Sequence, residues 1–291
     1  MAGISTLRLL TILLYANPEN EIKDLKSGKI NLADGLSLDE VNAQLKNNYN
    51  VFYTPQTGTN MIGINTTNPA YPTSNIKIRE ALNLAISGQE VMKNAQQAGL
   101  PDDQVIPQAI PGYNPDIKPI TQNVTEASAL VKAAGYPNGV TVNLAVGEPV
   151  LAIAQEVAKE VKPAGININI QEETDEGQYI DDINSGKDQS WVEELPTSVI
   201  DGSDILQGGF VNQPFYTNPT VTTEVDNAIT ANTATEHIKD LQQASLTLLQ
   251  DYAYVPLYQL TDVNVSDKGM VFSLNDYDSD LNVYFADVYQ Q

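Results

Sequence analysis

The stretch from Asp188 to Glu194 holds the residues that are best suited to bind a specific ligand. It reads Asp-Gln-Ser-Trp-Val-Glu-Glu and includes Trp191, the only tryptophan of the chain. An indole face attracts a cation or packs on a sugar ring, and a partly desolvated carboxylate of Glu193 or Glu194 makes a strong charge-assisted hydrogen bond to an ammonium group. The stretch is therefore a candidate ligand site. The alternative is a core tryptophan beside a solvated acidic turn.

A catalytic site would need residues that this composition does not supply. His237 is the only histidine and there is no cysteine, so a zinc site and a histidine-dependent triad are both excluded. Neighbouring carboxylates such as Asp181 and Asp182 resemble a glycosidase pair, but an acidic chain supplies such pairs freely. We predict that the protein is not an enzyme and uses no cofactor or metal, with His237 as a solvated helix residue.

An acidic run near the end superficially matches the spacing of oxygen ligands in a calcium-binding loop. It starts at Asp276 and has Asp287 at its twelfth position. The sixth position is Leu281, where the sharp turn of such a loop requires glycine. Leu281, Val283 and Phe285 alternate as in a strand, so we predict an acidic loop that leads into a strand.

The overall composition limits the class of protein. The chain has 37 Asp and Glu against 15 Lys and Arg, a formal charge of -22. Such a charge disfavours a nucleic-acid surface, because phosphate recognition needs clustered basic residues. Hydrophobic residues make up 42% and charged residues 18% of the chain, which is too apolar for a disordered protein. At 291 residues the chain is long enough for about two domains.

Two features concern export. The apolar stretch from Leu9 to Tyr15 is too short to span a membrane and lacks the layout of a signal peptide, so we predict a strand there. An exported chain would then have its signal outside this sequence or already removed. Acceptor sequons, which matter only in an exported protein, begin at Asn65, Asn123 and Asn264.

Hydrophobic periodicity predicts an α/β chain. Ser37 and Glu40 form a capping-box pattern ahead of a short helix. Strand, helix and strand patterns follow one another over residues 140–170, which predicts a parallel βαβ unit. Further helices are predicted over 78–86, 125–134 with Thr125 as cap, 222–231 and 236–249, with a proline-rich loop over 101–122 and alternating strands from 255 to 291.

Four segments resemble one known family in order and spacing. They are LKSGKINLA at 25–33, NIKIREALNLAI at 75–86, AGYPNGV at 134–140 and DYAYVPLY at 251–258. Together they resemble the oligopeptide- and dipeptide-binding family of ABC-transporter extracellular solute-binding proteins, family 5. The resemblance covers most of the chain from about Asn17 to Tyr258.

This resemblance implies an α/β, periplasmic-binding-protein-like (type II) fold with two lobes that close on a ligand. The chain starts well inside the first lobe, so we expect one complete lobe and a partial first lobe. The two crossings between lobes are expected near residues 51–55 and 255–258. The implied domains are 1–58 for the partial first lobe and first crossing, 59–254 for the second lobe, and 255–291 for the second crossing and return.

The implied function is extracytoplasmic capture of a peptide or small oligosaccharide between the lobes, in the periplasm or at the outer cell surface, for delivery to an ABC-transporter permease. Trp191 and Glu194 match the family's cleft tryptophan and the acidic residue three positions later, which pairs with the ligand ammonium, and Glu193 lies beside them. The family usually has Asp where this chain has Glu194. The segment from Asp201 to Leu206 resembles the acidic turn that follows, and we expect a structural role for it.

A second hypothesis keeps the fold and changes the use. A shortened binding-protein lobe can serve as a cell-surface structural or assembly subunit, because an open sheet edge is a template for association with another copy. Self-association through the incomplete lobe is therefore an alternative to solute import.

Overall fold

A computed structural model describes residues 9–271 apart from 102, 109, 148–149 and 196–200, together with residues 289–290, and gives only the backbone for 271 and 289–290. The acidic loop predicted over 276–287 lies outside these residues. The helices are α1 Pro18–Lys26, α2 Leu38–Gln44, α3 Ile76–Ala85, α4 Gly88–Asn94, α5 Val124–Ala133, α6 Leu151–Val161, α7 Glu176–Asn184, α8 Gly202–Gly209, α9 Pro219–Thr230 and α10 Ala234–Gln250. The strands are β1 Leu32–Ala33, β2 Asn50–Ile64, β3 Gly99–Pro101, β4 Val140–Gly147, β5 Ile166–Glu173, β6 Ser190–Glu194, β7 Tyr254–Ser266, β8 Met270–Val271 and β9 Tyr289–Gln290.

The chain divides into two compact units. Unit 1 combines the residues up to Gln56 with Gln96–Gly99 and the residues from Leu260 onward, and unit 2 consists of Thr57–Ala95 and Leu100–Gln259. Strands β2 and β7 contribute residues to both. The short segment Gln96–Gly99 groups with unit 1, although it lies between two stretches of unit 2 in the sequence.

Unit 1 is built from short elements on a small core. The predicted capping box is confirmed, since the Ser37 side chain accepts from the Glu40 amide and the Glu40 carboxylate accepts from the Ser37 amide. Strand β1 pairs antiparallel with β7. The buried apolar residues of this unit are Ile22, Leu25, Ala33, Leu36, Val41, Leu45, Val263 and Val265.

Unit 2 contains the predicted βαβ arrangement. Strands β4 and β5 are parallel from Val140 opposite Ile166 to Gly147 opposite Glu173, and α6 connects them. Strand β6 is parallel to β4, and β2 is antiparallel to β6. The strand order is therefore β2-β6-β4-β5. Helices α8, α9 and α10 contribute most of the helical residues to a core that includes Trp191.

Two local predictions are wrong. Residues 9–15 form no strand, and Leu14 is 96% exposed, because no strand in the described part of the chain pairs with this segment. Asn123, two residues before the expected Thr125, caps α5: its Oδ1 accepts from the Glu126 amide at 3.1 Å and its Nδ2 donates to the Glu126 carboxylate at 2.9 Å. None of the described helices is long and apolar enough to cross a bilayer.

Candidate functional site

The candidate ligand residues lie on β6 beside its antiparallel partner β2. The register places Gly63 opposite Trp191 and Asn60 opposite Glu194. Successive side chains of a strand point to opposite faces of the sheet, so Trp191 and Glu193 share one face and Glu194 lies on the other. The structure thus separates the indole from the Glu194 carboxylate.

Trp191 is a core side chain of unit 2. It is 1% exposed, and its ring meets that of Phe215 edge-on with centroids 4.6 Å apart. A Cβ added at Gly63 would come within 2.2 Å of the indole, so glycine is needed on β2 to admit the tryptophan. The indole faces are therefore filled by protein atoms in this structure.

Glu193 is tied to this tryptophan. The indole N–H of Trp191 donates to Oε2 of Glu193 at 2.7 Å. Burial raises the pKa of Glu193, and the hydrogen bond from Trp191 opposes that rise. The bond stabilises the ionised form of the partly buried Glu193 carboxylate. Glu193 therefore orients the indole and does not reach the face of the sheet on which Glu194 lies.

Glu194 ends β6 on the other face of the sheet. Burial raises the pKa of its carboxyl group, although the residue as a whole remains exposed to solvent. None of the described residues donates a hydrogen bond to its carboxylate or forms an ion pair with it. A carboxylate with lost solvation and no protein counterion is suited to bind a cationic group.

Two polar side chains near Glu194 were not singled out from the sequence. Asn60 is its cross-strand neighbour and is buried, and the charge of Glu194 adds to the effect of burial in raising the pKa of Tyr258. Tyr258 belongs to a segment noted for its family resemblance, but nothing in the pattern marked its hydroxyl. Asn60 has no sequence signal, because only the register of β2 against β6 brings it to Glu194.

Asp188, at the start of the same stretch, has a raised pKa. Burial and the nearby charge of Asp182 raise the pKa of Asp188 to about 6, although Lys187 acts in the opposite direction. Its Oδ2 is buried without a hydrogen-bond partner in the part of the chain that the structure describes. The folded protein therefore holds this proton more tightly than the unfolded chain, where an Asp has a pKa of about 3.9.

We expect Asp188 to make folding stability pH dependent. The contribution of Asp188 to folding stability is greatest below about pH 4. It is lost as the pH rises through about 6, because the folded state then gives up the proton that it retained. Asp188→Asn should therefore raise the urea midpoint relative to the wild type at pH 7 and have a smaller effect at pH 4. The exposed Asp181→Asn is the control. An equal change at both pH values would contradict the prediction.

The Asp201 turn has the structural role expected for it. Oδ1 of Asp201 accepts from the Ser203 amide at 2.7 Å and caps α8, while Oδ2 lies 3.3 Å from Nε2 of His237. His237 Nδ1 lies 2.8 Å from the Ala228 carbonyl oxygen. The prediction of a merely solvated histidine is wrong, because its ring is partly buried between α9 and the cap of α8.

Removing this cap should weaken unit 2 measurably. We expect Asp201→Ala to lower the free energy of unfolding by about 1 kcal/mol, since the amide of Ser203 loses its acceptor. Asp201→Asn keeps an oxygen at the same place and should lose less. Urea denaturation followed by circular dichroism measures both. If the Asn variant loses as much as the Ala variant, the cap is not the cause.

The three sequons differ in accessibility. Asn65 is buried and its Nδ2 donates to the carbonyl oxygens of Gly186 and Asp188, and Asn264 is buried with its Nδ2 bonded to Thr54. Asn123 is exposed. Of the three asparagines, Asn123 alone is exposed in the folded chain. Among the described residues, no three acidic or histidine side chains are placed to hold a metal ion.

Two curated relatives show how far the similarity extends. The glutathione-binding protein GsiB of Escherichia coli (strain K12) is 25% identical over 290 residues, which cover 92% of this chain and 55% of the relative. The dipeptide-binding protein of the same organism is 27% identical over 126 residues, 41% of this chain and 24% of that protein. The chain thus spans only about half or less of the length of these relatives.

Solved structures show the same fold. HbpA2 from Haemophilus parasuis superposes with a TM-score of 0.82 at 20% identity, covering 96% of this chain and 57% of that one. The periplasmic murein tripeptide binding protein MppA, in its unliganded open form, gives 0.80 at 21% identity, with 94% and 55% covered. The fold is that of type II periplasmic binding proteins, with an incomplete lobe.

The sequence profile of the bacterial extracellular solute-binding proteins, family 5 Middle, matches residues 5–216. The chain belongs to this family of bacterial extracellular solute-binding proteins.

Proposed function

We propose that this chain captures a peptide outside the cytoplasm and delivers it to an ABC-transporter permease, without catalysing a reaction. Membership of family 5 supports the general role. One solved relative is named for binding a murein tripeptide, and another, the periplasmic binding protein DppA from Helicobacter pylori, is described in complex with the peptide STSA. These ligands are properties of those proteins, and they suggest the class of ligand to test here.

Glu194 is the observation that carries the proposal. Its carboxylate has lost part of its solvation and has no protein counterion among the described residues. A peptide provides the missing cation as its terminal ammonium group, and the resulting hydrogen bond is charge assisted. We assign Glu194 the role of ligand partner and Glu193 the role of holding Trp191.

The position of Trp191 favours a peptide over an oligosaccharide. Sugar recognition by an indole needs an open aromatic face, whereas this ring packs against Phe215 and Gly63 in the core. Trp191 therefore supports the site by packing. A peptide bound at Glu194 does not need an aromatic platform on that face of the sheet.

Calorimetric titration with tri-alanine tests this function. We expect the wild type to bind and Glu194→Gln to bind roughly 10 to 100 times more weakly, because a hydrogen bond to a charged group contributes about 1.5–3 kcal/mol. Glu172→Gln removes an exposed carboxylate from β5 and changes the net charge equally. Its affinity should equal that of the wild type.

The control separates a specific contact from general attraction to an acidic protein. Equal weakening by Glu172→Gln and Glu194→Gln would mean that only the net charge attracts the ligand. Wild-type protein that binds neither tri-alanine nor longer peptides would overturn the proposal. Retained binding in Glu194→Gln would remove this residue from the site.

An assembly role is the second candidate, and the exposed apolar segment at residues 9–14 favours it. Leu9, Ile12 and Leu14 are largely exposed, and apolar surface of this kind promotes association. Analytical ultracentrifugation of the chain compared with an Ile12→Ser, Leu14→Ser variant tests this role. A concentration-dependent oligomer that the variant abolishes would support it, whereas two monomeric proteins would contradict it.

A further inference from the structure

Strand β5 forms an edge of the sheet of unit 2. It ends the strand order β2-β6-β4-β5 and pairs with β4 alone in the part of the chain that the structure describes. An edge strand presents a row of backbone N–H and C=O groups to which another strand can bond, and natural proteins protect such edges with lysine, proline or bulges. The eight residues Ile166–Glu173 contain neither lysine nor proline, and their pairing with β4 runs without a bulge.

The open backbone groups of β5 belong to its even-numbered residues. The Val140 amide donates to the Gly165 carbonyl oxygen at 2.9 Å, and the residues that bond to a given neighbouring strand alternate along a parallel pair. The odd-numbered residues of β5 therefore direct their N–H and C=O groups to β4. The even-numbered residues direct theirs to the open side of the sheet.

The side chains of this edge are uncharged over most of its length. Ile168 and Ile170 are half-buried, and charge begins only at Glu172. Three exposed amide side chains share the opposite face of the sheet, at Asn167, Asn169 and Gln171. In a chain of net charge -22, a neutral strand is a place where a second copy meets little repulsion.

We propose that β5 pairs antiparallel with β5 of a second copy of this chain, in a symmetric dimer that extends the sheet of unit 2 across both molecules. A two-fold axis brings the same strand from each copy together, and an antiparallel strand at the edge of a parallel sheet is common. The inference is independent of peptide capture. It also concerns unit 2 and not the exposed apolar segment at residues 9–14.

The backbone and the side chains favour one register. Even-numbered residues must lie opposite even-numbered residues, because these carry the open hydrogen-bonding groups. With Asn169 opposite the partner's Asn169, residues 166–172 of each copy pair, and Ile168 meets the partner's Ile170 twice. No two carboxylates lie opposite one another, an arrangement that would destabilise the pair. A pair centred on residue 168 would join only residues 166–170, and one centred on residue 170 would leave a single isoleucine pair.

Cysteine cross-linking tests this register. The chain has no cysteine, so each single-cysteine variant reports on one position. Residue 169 and its copy would form a pair without backbone hydrogen bonds, with Cα atoms about 4.5 Å apart, which a disulfide can bridge. The two copies of residue 167 would lie about 13 Å apart along the strands.

We expect Asn169→Cys to give at least about five times more disulfide-linked dimer on air oxidation than Asn167→Cys, because its thiols alone are within reach of each other. Both positions are exposed on the same face of β5, so their accessibility to oxidant is matched. Equal cross-linking of the two variants would indicate random collision and overturn the inference. Absence of a covalent dimer from Asn169→Cys would overturn it as well.

Analytical ultracentrifugation provides a second measurement without cysteine. A single strand pair buries less area than the roughly 1,000 Å² of a stable interface, so we expect a reversible dimer whose fraction rises with protein concentration. Asn169→Lys should lower this fraction, because it places two ammonium groups opposite one another. Thr141→Lys makes the same charge change at an exposed position on β4 and should dimerise like the wild type.

The variants also separate this dimer from other forms of association. Ile12→Ser, Leu14→Ser should leave it intact, since both substitutions lie outside β5. Far-ultraviolet circular dichroism of Asn169→Lys should match that of the wild type, because the side chain is exposed. A wild type that stays monomeric at every concentration would overturn the inference. An unchanged dimer in folded Asn169→Lys would place the interface elsewhere and overturn it too.

Discussion

Replacing Trp191 with alanine should lower the free energy of unfolding by about 4 kcal/mol, because it removes a large buried ring and leaves a cavity. Phe215 and Gly63 pack against the ring, and the cost of the cavity depends on how far such neighbours relax into it. Glu193 would also lose the donor that stabilises its charge. We expect this variant to be the least stable of those that alter the candidate site.

Urea denaturation followed by far-ultraviolet circular dichroism measures this loss, since the substitution removes the only tryptophan fluorophore. Peptide affinity, measured well below the new Tm, should change by less than about twofold, since Glu194 lies on the opposite face of the sheet. A stable variant that no longer binds peptide would contradict the structural role of Trp191 and restore the indole to the ligand site.

Gly63 provides an independent check on the same contact. Gly63→Ala alone should destabilise by about 1–3 kcal/mol through overpacking against the indole. In the Trp191→Ala background the same substitution should cost much less, because the clashing ring is gone. The two effects are therefore expected to be non-additive, as for residues in direct contact. Additive effects would mean that the close approach of Gly63 to Trp191 does not determine either loss.

The parts of the fold that follow from local pattern could be predicted from the sequence. The capping box at Ser37 and the βαβ arrangement of β4, α6 and β5 depend on neighbours close in sequence, and the structure contains both. Asn123, and not the predicted Thr125, caps α5, because both residue types can accept the same hydrogen bond. The strand expected at 9–15 needed a distant partner that no local pattern reveals.

The candidate site shows where sequence reasoning ends. The stretch around Trp191 left a ligand platform and a core tryptophan both open, since both need an aromatic residue beside acids. The choice depends on Gly63 and Phe215, which are far away in sequence. The pairing of Asn60 with Glu194 depends likewise on strand register, and a shift by one residue would reverse which faces the side chains share.

The other large stability effect should come from Arg79, whose buried guanidinium connects three segments of unit 2. Its Nε donates to the carbonyl oxygen of Asp251 at 3.0 Å, and Nη1 donates to those of Thr73 at 3.0 Å and Ser74 at 3.1 Å. Nearby, the carboxylate of Asp251 accepts from Tyr216 and Asn218.

Arg79→Met should lower the free energy of unfolding by about 3 kcal/mol, because it leaves buried carbonyl oxygens without donors. Arg79→Lys should recover less than half of this loss, since one ammonium cannot reproduce the planar array of donors. Lys77→Met, an exposed change on the same helix, should stay within about 0.5 kcal/mol of the wild type. Guanidinium denaturation compares the three variants. Equal stability of Arg79→Met and Lys77→Met would show that these hydrogen bonds do not hold unit 2 together, whereas full recovery by lysine would reduce the role of Arg79 to its charge.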